Sequence, residues 1–142
     1  MSTMSEPEEI TIEELLDDFE LFDDWESRYK YIIELGGELP ELPEQFRIDV
    51  NLVQGCLSRV WLMATPTDSD GIVQFHADSD SQIVKGLISI LVSLCNGRSA
   101  GEIKTLNFES LFTDLGLEEH LSRSRSNGFH SMVQRIRTLA GC

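Results

Sequence analysis

The first 26 residues contain no lysine, arginine or histidine, although eleven of them are acidic. Removing those eleven charges from the chain's net −14 leaves only −3 for the rest. Nucleic acid and anionic membranes repel such a chain, so neither is expected as a partner; a protein with a basic patch suits it better. The imbalance reverses at the other end, where no acid follows His120 and four arginines stand at Arg123, Arg125, Arg135 and Arg137. Apolar runs stay short of the roughly 18 residues of a membrane span, and the acidic start has neither the basic nor the apolar region of a signal peptide. A cytoplasmic location is therefore expected. Cysteine is scarce, and Cys56, Cys95 and Cys142 are too far apart for a CxxC redox or zinc motif; free thiols in a reducing compartment are the natural reading. His76, His120 and His130 are equally dispersed, with no HxH or HExxH spacing, which disfavours a metal site.

What is present suffices for one domain, since 41% of the 142 residues are hydrophobic and can bury a core. Residues 1–9 read as a disordered acidic tail and 10–142 as a single domain. In "ITIEELL", Thr11 can cap a helix, with Glu14 reaching back to it and Ile10 stapled against Leu15. A second helix is predicted over 24–35 from the spacing of Trp25, Tyr29, Ile32 and Ile33, with Gly36 and Gly37 stopping it. The stretch "ELPELPEQFR", with Pro40 and Pro43, reads as a structured crossing loop. Val60, Leu62 and Ala64 alternate with Arg59, Trp61 and Met63, and Val73, Phe75 and Ala77 with Gln74, His76 and Asp78. Joined by "TPTDSDG", these make a hairpin, extended by a short strand at 51–54.

Over 81–95, Ile83, Val84, Leu87, Ile90, Leu91 and Leu94 leave only a narrow polar stripe, which marks a mostly buried helix. Short elements are suggested by "GRSAGEI" and by 108–117. On a terminal helix, Phe129, Met132, Val133, Ile136 and Leu139 share one face. The predicted fold is α+β: a small antiparallel sheet of about three strands, with helices before and after it.

Chemistry is concentrated in "VQGCLSRVWLM". Gly55 allows a tight path and close approach, and Arg59 is a possible local cation that would lower the thiol pKa of Cys56. Cys56 is the best nucleophile in the chain. Its local context alone is equally consistent with a small buried hydrophobe beside a strand. Cys95, within the apolar helix, reads as packing, and Cys142 as incidental. Asp80 in "ADSDSQIV" reads as a helix N-cap. Arg125 in "SRSRSNG" sits near a helix start, where a cation is disfavoured, and so hints at a partner or an internal carboxylate.

Gly55-Cys56-x-Ser58-x-Val60-Trp61, then "DSDSQIVKGL" at 78–87, then "SRSNG" from Ser124 with Met132 and Ile136, resemble the SufE/CsdE family of sulfur-acceptor proteins. "YIIELGGELPELPE" at 31–44 is similar to that family's helix and crossing loop. The match runs in order over roughly residues 24–138. This resemblance implies a SufE/IscU-like fold and a sulfur acceptor that takes persulfide sulfur onto Cys56. The implied donor is a pyridoxal-phosphate-dependent cysteine desulfurase of the SufS/CsdA kind, which this chain stimulates; the implied recipient is an iron–sulfur scaffold complex. The cofactor belongs to the desulfurase, and this chain needs none of its own. Carried over from the family, Asp80 and Arg125 support the cysteine loop or contact the partner. Arg123 departs from the pattern, standing where the family often has proline, and so does the strongly acidic start.

Two other readings compete. A thiol enzyme, hydrolase or peroxidase, needs a histidine base that folding brings to Cys56. A pure interaction module would use Cys56 only for packing.

Overall fold

The computed structural model describes residues 11–56 and 58–141. The tail expected over 1–9, the staple from Ile10, and Cys142 lie outside them. Helix α1 (Ile12–Glu20) starts at Thr11, whose Oγ1 accepts the Glu14 N–H at 3.2 Å. Leu15 and Phe19, one turn apart, bury its apolar side. Helix α2 (Trp25–Glu38) starts on the carboxylate of Asp24, which accepts the Ser27 N–H at 2.7 Å. It runs through Gly36 and Gly37, contrary to the expectation that they stop it. The reason is packing. A Cβ on Gly36 would lie 2.7 Å from the Gly86 backbone nitrogen, and one on Gly86 would overlap the Ile32 carbonyl oxygen.

After α2 the crossing loop makes two short 3-10 turns, Glu44–Phe46 and Asp49–Asn51. Strands β1 (Val60–Pro66) and β2 (Val73–Ser79) then pair antiparallel, from Val60 opposite Ser79 to Pro66 opposite Val73. The third strand expected at 51–54 is reduced to one bridge, Leu52 with Trp61, supported by the Val53 N–H on the Val60 carbonyl. The 3-10 turn before it and the left-handed Gly55 after it, φ 89°, leave no room for a longer ladder. Among the described residues the sheet thus has two strands, and the α+β class stands.

Helix α3 (Gln82–Cys95) is the central element, with eleven of its fourteen residues buried. Both α2 and β2 pack on it. Three short helices follow: α4 (Ala100–Thr105), α5 (Phe108–Asp114) and α6 (Leu117–His120). The last, α7 (Arg123–Ala140), starts at Ser122 and lays Phe129, Met132, Val133 and Ile136 into the core against β1, α3 and α4. The outer face of the hairpin is closed by the crossing loop, through Asp78. Asp78 is 2% exposed, and its carboxylate accepts the Leu42 N–H at 3.1 Å and the Arg47 guanidinium at 2.7 Å, with Lys85 Nζ at 3.4 Å. Arg47 also lies over the Trp61 ring, 5.6 Å from its centre. A buried carboxylate needs such partners, and here they fasten the segment leading to Cys56 onto the sheet.

Candidate functional site

Cys56 follows the left-handed Gly55 and precedes β1. Its loop is fixed before the thiol by the bridge at Leu52 and after it by Arg59. The Arg59 N–H donates to Asp80 Oδ1 at 3.1 Å, and its carbonyl accepts from the Asp80 N–H at 3.2 Å and from Ser79 Oγ at 2.8 Å. Asp80 is therefore not the N-cap of α3. Ser81 fills that place, accepting the Val84 N–H. Reading "DSDS" as a cap assigned the role to the wrong oxygen, because any of its four side chains can cap a helix.

Between these anchors the thiol lies against α7. Cys56 Sγ is 3.6 Å from the Gly128 carbonyl oxygen, to which it donates. A Cβ added to Gly128 would stand 3.4 Å from that sulfur. Gly55 approaches the same helix, since a Cβ there would meet Ser131 Oγ at 2.6 Å. Cys56 is half-buried, and burial pushes its thiol pKa up. The lowering expected from Arg59 is not seen: the shift comes from the cost of desolvating a thiolate.

Beside the sulfur is a cavity of about 340 Å³, lined by Cys56, Val84, Leu87, Arg125, Gly128 and Met132, with Ser58, Ser122 and Ser124 at its polar parts. Arg125 occupies the first turn of α7, its N–H on Ser122 Oγ at 3.3 Å. Cys56 and Arg125 therefore line one cavity, whereas Asp80 holds the loop from its far end. Cys95 is fully buried in α3. The three histidines are spread out: His76 bonds Thr65, His120 stacks on Trp25 and His130 lies against Phe112 and Phe129. Among the described residues no imidazole is hydrogen-bonded to Cys56, and no three His, Cys, Asp or Glu side chains cluster as metal ligands. Gly128 stands out in the sequence only as part of "SRSNG"; a glycine inside a helix, away from its ends, is the signal that could have singled it out.

The family model for SufE, the Fe–S metabolism associated domain, matches residues 13–140. The chain belongs to the SufE family. An uncharacterized SufE-like protein of Rhizobium meliloti is 44% identical over 132 residues, covering 92% of this chain and 94% of the relative. Another, of Rhizobium etli, is 48% identical over 130 residues, covering 89% and 87%. The fold is shared with the solution structure of a hypothetical protein from Thermus thermophilus, at a TM-score of 0.72 and 18% identity, covering 92% of this chain and 93% of that one. Membership ties this SufE-family chain to iron–sulfur metabolism. No helix among the described residues is long and apolar enough to cross a membrane.

Proposed function

We propose that this protein is a sulfur acceptor in the cytoplasm: Cys56 takes the persulfide sulfur of a pyridoxal-phosphate-dependent cysteine desulfurase of the SufS/CsdA kind, stimulating it, and hands that sulfur to an iron–sulfur scaffold complex. The observation that carries the reading is the state of the thiol. Cys56 lies at the edge of a cavity with a backbone carbonyl as its hydrogen-bond acceptor and a pKa raised by burial, so at rest it is protonated and guarded. A stand-alone thiol enzyme would hold a base against that sulfur. An acceptor needs none, because the partner supplies the reactive sulfur.

In the transfer, the loop swings from α7 into the partner and the Cys56 thiol, relieved of burial, ionises. Its thiolate attacks the outer sulfur of the donor persulfide; the new S–S bond forms as the donor's breaks, and the electron pair leaves on the donor thiolate. Gly55 supplies the hinge, the pairing of Asp80 with Arg59 sets the length of chain free to move, and Arg125 contacts the partner once the thiol has left the cavity. Sulfide release by the desulfurase, with cysteine and a reductant, tests this. Wild type raises the turnover and Cys56→Ser does not; equal stimulation by both contradicts the proposal.

A further inference from the structure

Among the described residues, three helical glycines face another part of the molecule closely, and they differ in what they require. At Gly36 and Gly86 a Cβ would collide with backbone, so the crossing of α2 and α3 admits nothing larger. At Gly128 the nearest atoms to an added Cβ would be Cys56 Sγ at 3.4 Å and Cys56 Cα and Cβ at 3.9 Å, distances of ordinary contact. Gly128 is buried within α7 and has no positive φ, so neither backbone conformation nor the resting cysteine demands glycine there. Glycine inside a helix is nevertheless less favourable than alanine. The reduced protein carries that penalty for a methyl-sized space beside a sulfur atom, on the wall of the cavity.

We infer that Gly128 is a positioning residue for the sulfurated form of the protein: its bare Cα leaves the place where the outer sulfur of a Cys56 persulfide rests. The inference builds on the proposed acceptor role and adds what the resting thiol does not reveal. The outer sulfur is tethered to Sγ by a bond of about 2 Å, so only the nearest wall of the cavity can hold it, however large the remainder is. Gly128 forms part of that wall, and Val84, Leu87 and Met132 supply an apolar surround. Seated there, the outer sulfur is screened from thiols that would strip it.

The test loads Cys56 chemically, with inorganic polysulfide, so that it needs no desulfurase. The Cys56 thiolate attacks a terminal polysulfide sulfur; that S–S bond breaks, and the chain, shorter by one sulfur, leaves with the electron pair. Dithiothreitol then removes the outer sulfur as hydrogen sulfide, is itself oxidised to the cyclic disulfide, and regenerates the thiol. Site-resolved mass spectrometry follows the Cys56 peptide in wild type, Gly128→Ala and the control Gly37→Ala, where an added Cβ meets nothing within 4 Å. Gly128→Ala is expected to lose the outer sulfur about tenfold faster than wild type and the control, while iodoacetamide labels its reduced thiol within about twofold of the wild-type rate. Equal persulfide lifetimes in all three proteins overturn the inference. So does a parallel tenfold rise in labelling of the reduced thiol, because the glycine would then be serving the thiol itself. Failure here leaves desulfurase stimulation by wild type intact, and failure of that stimulation leaves this measurement readable.

Discussion

The crossing of α2 over α3 and the seat of Cys56 on α7 are both contacts made on glycine, and they are built for opposite ends. At the crossing, backbone meets backbone: Gly36 and Gly86 bring the two helices together with no space for a methyl, and Ser89 Oγ adds a hydrogen bond to the Leu35 carbonyl at 3.0 Å. On α7 a side chain meets a glycine with space left over, next to a cavity, through one long thiol hydrogen bond. The first contact closes the core. The second, on the proposed function, lets its sulfur depart. Close packing transmits strain, so an atom added at the crossing is felt throughout the fold, whereas the seat absorbs one locally.

The largest effect expected is at the crossing itself. Gly86→Val forces α2 off α3 and lowers unfolding free energy by about 3 kcal/mol or more, read from denaturant midpoints. A loss under about 1 kcal/mol would mean that the helices part easily and that the two glycine contacts are alike. Next comes Asp78→Asn, which leaves Arg47 and Lys85 facing a neutral amide; about 2 to 3 kcal/mol is lost, and labelling of Cys56 accelerates because the crossing loop before it loosens. Gly55→Ala acts on the seat alone. Strain at φ 89° and the contact with Ser131 cost about 1 to 2 kcal/mol, and the thiol becomes faster to label.

The smallest effects separate the thiol from the frame. The raised pKa of Cys56 favours the protonated thiol in the folded state, so its contribution to stability is complete below the ordinary thiol value of 9.0 and is lost as pH rises through the higher folded value. Wild type should therefore lose stability relative to Cys56→Ser only above pH 9.0, and a gap already opening at neutral pH would contradict the burial account. Gly37→Ala, exposed within α2, should stabilise by about 0.5 to 1 kcal/mol.

Most of the frame was legible in the sequence, because helical spacing over 81–95 and 129–139 and strict alternation in the hairpin record which side of each element meets the core. Gly36 and Gly37 misled, since a glycine that ends a helix and one that lets two helices cross look alike until the second helix is placed. The third strand was overstated for a similar reason: alternation cannot see a 3-10 turn on one side and a left-handed residue on the other. At the site, Cys56 was legible from its motif and its pKa was not, because burial depends on α7, more than seventy residues away. Asp78 was visible only as an outward residue of a strand. Its partners Leu42, Arg47 and Lys85 come from two other segments, and no local pattern joins them.

On the proposed function, Cys56 leaves its seat on α7 to accept sulfur from a partner. The measurement that tests it most directly is the mass of the Cys56 peptide after the protein has been incubated with cysteine and a desulfurase that is turning over. A gain of about 32 Da per sulfur atom is expected on that peptide, absent from Cys56→Ser. Unmodified Cys56 in wild type, with the desulfurase active in the same tube, would contradict it.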